Sequence, residues 1–515
     1  MRKSIPLVAL GLSAALALSA CGGGTAKSAD KHAADNAAAP DTITAAIGYD
    51  GDNYDPATTT SAVATSANWH TVEGLTELSP VTREVEPALA AELPKQIDDV
   101  TYEATLRDGA KFSDGTDVTA DDVVFAYTRA IEGFYKPMLD FLESVTKKDA
   151  KTVTIKTKFP FSLVAERISL IKVVPASQNL ESVKSKPIGT GPYIMTSAVK
   201  SKAIEFEANP HYNGKHPAKT PKMHWDILVD DTARVTAMSS GTVMAIDNVP
   251  AVNQKTLESK AKLEAKQSFG LAFLMFNTKK APFDNAKVRQ AILYAVDTNQ
   301  LIEKAMGGLA TPITSFLPEN HPNYHKAKMV YTKDVKKAKS LLAEAGVSNL
   351  DITLNTTDHS WITKLAPLIQ QDLAAVGINA TIKSDASSAM YPNVTDVPNP
   401  TFDVVLAPGD PSVFGNDPDL LMSWWYGDND WTQKRTQWKD SEGYNRLHAE
   451  MDKAVRATGK EQQELWNNCF DIISEEVPLY PLFHRKVVGA WDDSKLEGYQ
   501  PIALTGLSFL DVAAK

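Results

Sequence analysis

Few residues in this chain carry reactive chemistry of their own. Of its two cysteines, Cys469 sits in "LWNNCFDIISEEV", a helix pattern with no cationic or metal-ligand neighbour. Its thiol therefore reads as a small buried hydrophobe rather than a nucleophile. His321 and His325 stand four apart, a spacing that would put two metal ligands on one helix face. Their setting, "ENHPNYHK", is interrupted by proline and does not read as helix. His211 and His216 lack a third ligand, so neither a metal site nor a cofactor is expected. Beyond the leader there is no H-E-x-x-H, no G-x-S-x-G and no Walker-type loop, so no motif supports the enzyme alternative, an extracellular hydrolase. Gly189 and Gly191 in "PIGTGPYIM" open no helix and precede no Lys-Ser/Thr pair. They cradle no phosphate and read as positions whose backbone angles other residues resist. What remains is aromatic: Trp424, Trp425, Tyr426, Trp431 and Trp438 crowd into 15 residues. Two readings stand for them, the filling of a core and a stacking platform for bulky side chains or sugar rings.

The other cysteine, Cys21, follows the apolar run "IPLVALGLSAALALSA", itself preceded by Arg2 and Lys3. The run is too short and too rich in small residues to span a bilayer comfortably, and reads as a secretory signal over 1–20. Leu18-Ser19-Ala20-Cys21 resembles the lipobox of bacterial lipoproteins, which implies cleavage before Cys21 and lipidation of its thiol. The protein would then be exported and anchored by lipid to the outer face of the bacterial cytoplasmic membrane. Cys469 would be left without a disulfide partner. Residues 21–41, Gly/Ala-rich and polar, cannot bury enough apolar surface to fold and read as a flexible tether. The net charge of −10 becomes −12 once Arg2 and Lys3 leave. An acidic chain is a poor nucleic-acid partner, because counterion release needs basic patches. With 43% hydrophobic and 23% charged residues, the rest reads as globular, with no later run of 18 apolar residues to enter a membrane.

The elements alternate in type along the chain. A strand is expected at "TITAAIGYD", and two more at "YEATLR" and "TVTIKTK", whose alternate residues share a face. Between those two, Thr119 and Asp122 make a capping-box start for a helix with Val123, Ala126, Tyr127, Ala130 and Ile131 on one stripe. Val288, Arg289, Ala291, Ile292 and Ala295 fit an amphipathic helix. Thr332 is expected to cap a further helix, "KDVKKAKSLLAEAG", ended by Gly346. "LDITLNTT", "SWITKLAPLIQQDLAAVG" and "INATIK" then read as one βαβ unit, and "FDVVLA" as another strand.

Several of these stretches together resemble a known family. "LRDGAKFSDGTDVTADDVVFAY" (Leu106 to Tyr127) is similar to the signature of the bacterial extracellular solute-binding proteins of family 5. "PIGTGPYIM", "ANPHYNGKHP", the block from Phe276 to Pro312, "AKSLLAEAG", "VGINATIK" and "VPLYPLF" follow in family order. The resemblance implies an α/β periplasmic-binding-protein-like fold of class II, in its large three-domain (cluster C) form. Lobe I would comprise 41–75, 186–270 and 486–513, the inserted extra domain 76–185, and lobe II 271–485. It implies a monomeric, non-enzymatic receptor that captures oligopeptides between hinged lobes and delivers them to the permease of an ABC importer. Some members bind oligosaccharides or metal chelates, so an oligosaccharide is the alternative ligand, with the Trp-rich 424–438 segment, Trp424 and Trp425 included, as its platform.

The resemblance also suggests where ligand sits. The family's aspartate, partner of a peptide's α-ammonium, maps onto Asp410, although this chain carries extra residues between it and Asp417-Pro418. A carboxylate in a water-poor cleft suits a cationic ligand end. Turn formation by Gly409, Asp410 and Pro411 is the other reading. Ala407, Pro408 and Gly409 would lend backbone groups to a ligand strand. Thr60, Ser61 and Ala62 would reach the cleft from lobe I, and Phe269 and Gly270 lie where the chain crosses between lobes. Arg485 and Lys486 lie near the second crossing and read as surface residues.

Overall fold

The computed structural model describes residues 40–59 and 61–515. The signal segment, Cys21, the tether as far as Ala39, and Thr60 lie outside the described residues. The strands Lys262–Phe276 and Leu479–Trp491 build the middle of the main sheet, and their segments Phe269–Phe276 and Leu479–Phe483 are apolar and buried. Continuous apolar runs of this kind suit strands covered on both faces. They pair antiparallel, from Lys262 opposite Trp491 to Met275 opposite Leu479. Beyond Lys262–Phe276 the sheet continues through Val404–Gly409 and Leu350–Thr357 to Ile378–Asp385. Beyond Leu479–Trp491 it continues through Ala245–Ile246, Thr42–Ile47, Lys222–Ile227 and Ala203–Ala208 to Tyr193–Val199. Two strands therefore carry the sheet from one half of the fold to the other.

The ladder between them shifts register twice, at Gln267/Leu271 and at Ala272/Phe273, and the larger break is the first, in its middle. Gln267 faces Lys486 and the next pair is Leu271 with His484, so Ser268, Phe269 and Gly270 oppose Arg485 alone. Such a bulge bends the strand and re-aims side chains. Two local bonds hold it: Gly270 N–H donates to Ser268 Oγ (2.8 Å), and His484 Nδ1–H donates to the Phe269 carbonyl (2.9 Å).

The parallel unit read from the sequence forms, with Leu350–Thr357 and Ile378–Asp385 in register and helix Ser360–Ala374 between them. Helix Ala286–Ala295 also forms, and buries all five of its stripe residues. One cap differs from the expectation. The helix after Tyr331 spans Val335–Glu344, and Asp334 caps it rather than Thr332, its carboxylate accepting from Lys337 N–H at 2.9 Å. Asp334 directly precedes the apolar stripe, where a short carboxylate reaches the third helical amide.

A separate antiparallel sheet, in the order Lys95–Asp98, Thr101–Thr105, Thr152–Thr157 and Leu142–Lys147, lies within residues 95–157. Helix Ala120–Glu132 covers it. The Thr119–Asp122 capping box is closed in both directions, and Val123, Ala126, Tyr127 and Ala130 are buried.

At Gly189 and Gly191 the reason for glycine is not the one expected. Neither has a left-handed backbone. Instead a Cβ on Gly189 would overlap the Thr71 carbonyl oxygen, and one on Gly191 the His70 carbonyl oxygen. The end of helix Ala62–Thr71 presses on this loop, and Gly191 N–H donates to Thr71 O at 3.1 Å. Backbone cannot move aside as a flexible side chain can. Gly189→Ala is therefore expected to destabilise the fold by about 1–3 kcal/mol, seen as a lower urea midpoint. An unchanged midpoint would show the contact to be soft.

Candidate functional site

A cavity of about 800 Å³ opens beside the bulge. Helix Ala62–Thr71 contributes Ala62 and Thr65 to its wall, and Thr505 joins them from the C-terminal segment. Phe134, Pro137 and Met138 enter from the loop after helix Ala120–Glu132. His359, Asp410, Phe414, Trp424, Trp431 and Arg435 close the far side. Residues 62 to 505 thus meet in one space.

Asp410 begins a short 3-10 turn, Pro411–Val413, and its Oδ1 accepts from Ser412 N–H (3.2 Å) and Ser412 Oγ–H (2.5 Å). Both bonds use one oxygen, which leaves Oδ2 for the cavity. Turn stabilisation and ligand contact are therefore compatible, each using its own oxygen. Burial pushes the Asp410 carboxyl above its usual range, while the Ser412 bonds and the Arg83 and Arg485 charges pull it back. Arg83 donates to the Ser412 and Gly415 carbonyls (2.5 and 3.2 Å), fixing the turn from the other side.

Strand Val404–Gly409 supplies a backbone edge next to this carboxylate. One side of it pairs with Leu271–Phe276 along its full length. On the other side its pairing with Leu350–Thr357 stops at Leu406 opposite Thr356, so Ala407, Pro408 and Gly409 have a free edge. Pro408 has no N–H to offer, which suits a position where no regular ladder continues. Gly409 is needed for a further reason: a Cβ there would overlap the Trp425 ring.

That overlap decides between the neighbouring tryptophans. Trp425 is fully buried and does not line the cavity. It stacks on Phe269 (6.1 Å, 18°) and meets Phe273, Phe316 and Trp431 edge-on. The expectation of Trp425 as a stacking platform is thus corrected to a core role beneath Gly409. Trp424, one residue earlier on helix Pro418–Tyr426, is half-buried and lines the cavity, stacked on Phe414 at 5.0 Å. Trp431 joins it on the wall, with Arg435 lying between the Trp431 and Tyr391 rings (4.2 and 4.3 Å). Arg435 is not free for a ligand, since Asp396 holds it at 2.8 and 3.0 Å.

The remaining expected residues are divided. Ala62 is on the wall, whereas Ser61 turns its hydroxyl to the Asp50 carbonyl (3.3 Å). Phe269 is buried in the bulge. Gly270 lies directly behind Asp410, where a Cβ would come within 3.3 Å of Oδ2. Arg485 is not the surface residue expected. It lies over the Trp361 ring at 4.4 Å and donates from Nη2 to Asn248 Oδ1 at 3.1 Å. No sequence pattern marked it, since one arginine in an apolar strand looks like any edge residue.

Other reactive groups are already occupied. His321 Nε2–H donates to the Asn416 carbonyl and its Nδ1 accepts from Asn323 N–H. Cys469 is buried, and burial pushes its thiol far above the usual range. Among the described residues no group of three or more His, Cys, Asp or Glu is placed to hold a metal, and no helix is long and apolar enough to cross a membrane.

Known proteins share this architecture. Residues 84–443 match the profile of the bacterial extracellular solute-binding proteins, family 5 (middle region). A heme-binding protein A of Haemophilus influenzae is 29% identical over 457 residues, 80% of this chain and 81% of that one. A glutathione-binding protein, GsiB, of Salmonella typhi is 27% identical over 482 residues, 90% and 92% of the two chains. The crystal structure of a dipeptide-binding protein from Pseudoalteromonas, in complex with Met-Leu, superposes with a TM-score of 0.78 at 21% identity. That superposition covers 92% of this chain and all of the other.

Proposed function

The chain belongs to the bacterial extracellular solute-binding proteins of family 5, the non-enzymatic receptors of ABC importers, and we propose that its own cargo is oligopeptides, held in the cavity beside Asp410. The carrying observation is one juxtaposition. A carboxylate with an uncommitted oxygen stands at the end of a strand whose last three residues have a free edge. An extended peptide laid along Ala407, Pro408 and Gly409 makes main-chain bonds there and brings its α-ammonium to Asp410. The aromatic wall of Phe134, Phe414 and Trp424 takes side chains without demanding a sequence.

On this reading lobe I comprises 41–75, 186–270 and 486–513, lobe II 271–485, and 76–185 is the inserted domain. Strands Lys262–Phe276 and Leu479–Trp491 act as the hinge, and the bulge at 268–270 is where it bends. A ligand touching both Ala62 and Asp410 stabilises only the closed form, which is the form the permease reads. The mature chain is a monomer held to the membrane by lipid on Cys21. The half-buried Trp424 and Trp431 rings favour a second reading, in which an oligosaccharide stacks on them.

Native mass spectrometry of the chain without residues 1–26 tests both readings. A ladder of co-purified masses fitting mixed peptides is expected. Masses spaced by hexose units would replace the peptide reading with the sugar one.

A further inference from the structure

Arg485 has an incomplete set of bonds. Its Nε–H is sealed from solvent and finds no acceptor among the described residues. Its partners are the Asn248 side chain and the face of Trp361, and among the described residues no carboxylate pairs with it. A buried guanidinium donor left unmatched is costly, and such exceptions call for an explanation.

The sheet register shows what lies near it. Leu271 is flanked by Gly409 on one side and by His484 on the other. Asp410 and Arg485 each follow those flanking residues, on two strands that run in the same direction. Two strand spacings put their backbones roughly 10 Å apart. Between them stands Gly270, whose missing side chain leaves the gap open and which approaches Asp410 Oδ2. The two charges influence each other across this gap. Burial draws the Arg485 guanidinium down, and Tyr49 and Asp410 act to raise it. His359, which lines the cavity, is lowered mainly by burial and partly by the Arg485 charge. Asp410 lines the cavity and Arg485 stands behind that wall, across the Gly270 gap; the two are unpaired with each other, and each keeps an uncommitted hydrogen-bonding atom.

We infer that Arg485 is a carboxylate subsite, filled by an acidic group on the same ligand residue whose amine Asp410 holds. The inference rests on the peptide reading of the cleft and narrows it: the preferred peptides begin with Glu or Asp. The peptide's own C-terminal carboxylate does not fit this role. In an oligopeptide of more than about three residues an extended chain carries it past that gap by about 3.3 Å per residue, whereas an amino-terminal glutamate keeps amine and carboxylate within one residue's reach whatever the peptide's length. An unpaired Arg485 also disfavours neutral ligands, which would leave its donor unmatched in the closed cleft.

The test is calorimetric titration of the wild-type chain with the tripeptides Glu-Ala-Ala and Gln-Ala-Ala, which match in shape and differ in charge. A charge-assisted bond is worth enough to predict a preference for Glu-Ala-Ala of roughly tenfold or more. Arg485→Gln is expected to erase that preference while still binding Gln-Ala-Ala, and Arg485→Lys to restore part of it. Equal or tighter binding of Gln-Ala-Ala by the wild-type chain overturns the subsite and leaves the peptide reading intact. Binding of neither tripeptide overturns the peptide reading, and the subsite with it. The wild-type comparison decides the matter even if the variants fail to fold.

Discussion

Asp410→Asn is expected to remove capture of peptides with a free amino terminus, lowering affinity by roughly a hundredfold, while the empty protein becomes slightly more stable. The two effects share one cause. The carboxylate is half-buried on the cavity wall without a direct cationic partner, and deleting one member of a charge pair that the ligand buries costs about 2–5 kcal/mol of binding. In the empty protein the ionised Asp410 is a liability. Burial raises its folded pKa above the unfolded value, so the stability it contributes is present below the unfolded carboxylate range and is lost as pH rises through the raised folded value. Asparagine avoids that loss while keeping an oxygen for the Ser412 bonds. Wild-type affinity for a cationic terminus should accordingly fall as acid protonates Asp410, and the residual binding of the variant should not. Calorimetry at neutral and acid pH, with thermal melts of the empty proteins, reads both effects. Tight, pH-independent peptide binding by the asparagine variant would sink the assignment.

The second large effect is expected from Arg167→Ala. Arg167 reaches out of the region that carries the smaller sheet and inserts between Asp417 and Asp419. Nη2 donates to Asp417 Oδ1 (2.6 Å) and Asp419 Oδ2 (2.9 Å), Nε to Asp417 Oδ2 (3.2 Å), and Nη1 to the Met138 carbonyl (2.7 Å). Arg167 and Asp417 side chains are each 3% exposed. Burial works against the Arg167 charge, but the two carboxylates outweigh it and hold the guanidinium firmly protonated. Removing it strands two buried acids, one of which, Asp417, also caps helix Pro418–Tyr426 that carries Trp424. Breaking a buried pair in this way costs about 3–5 kcal/mol, and here it also loosens one wall of the cavity. Urea unfolding should shift to a clearly lower midpoint, and ligand affinity should fall with it. An unchanged midpoint would falsify the view that this ion cluster joins the two regions.

The contrast between these two residues shows how far local pattern reaches. Asp410 could be singled out from the chain because a motif and a turn-forming neighbourhood surround it. Arg167 could not, because its partners lie 250 residues away and nothing nearby in sequence announces them. The same division runs through the fold. Helix Ala120–Glu132 and the parallel pair around Ser360–Ala374 follow from periodicity and capping, which act over a few residues. The shift of a cap from Thr332 to Asp334 is a local contest between two neighbouring side chains, won by the one closer to the stripe.

By itself, the sequence determined the family, the order and type of the principal elements, the absence of any catalytic motif, and Asp410 as the residue to question. Only the tertiary structure decided which member of the Trp424-Trp425 pair meets the cavity, because consecutive residues on a helix point about 100° apart and composition cannot say which way the helix is turned. It alone turned Gly189 from a residue of unusual angles into one of close approach, since the carbonyl it avoids belongs to Thr71. It alone drew Arg485 partly in from the surface, because a charge is covered by what packs against it, and Trp361 and Asn248 come from distant parts of the chain.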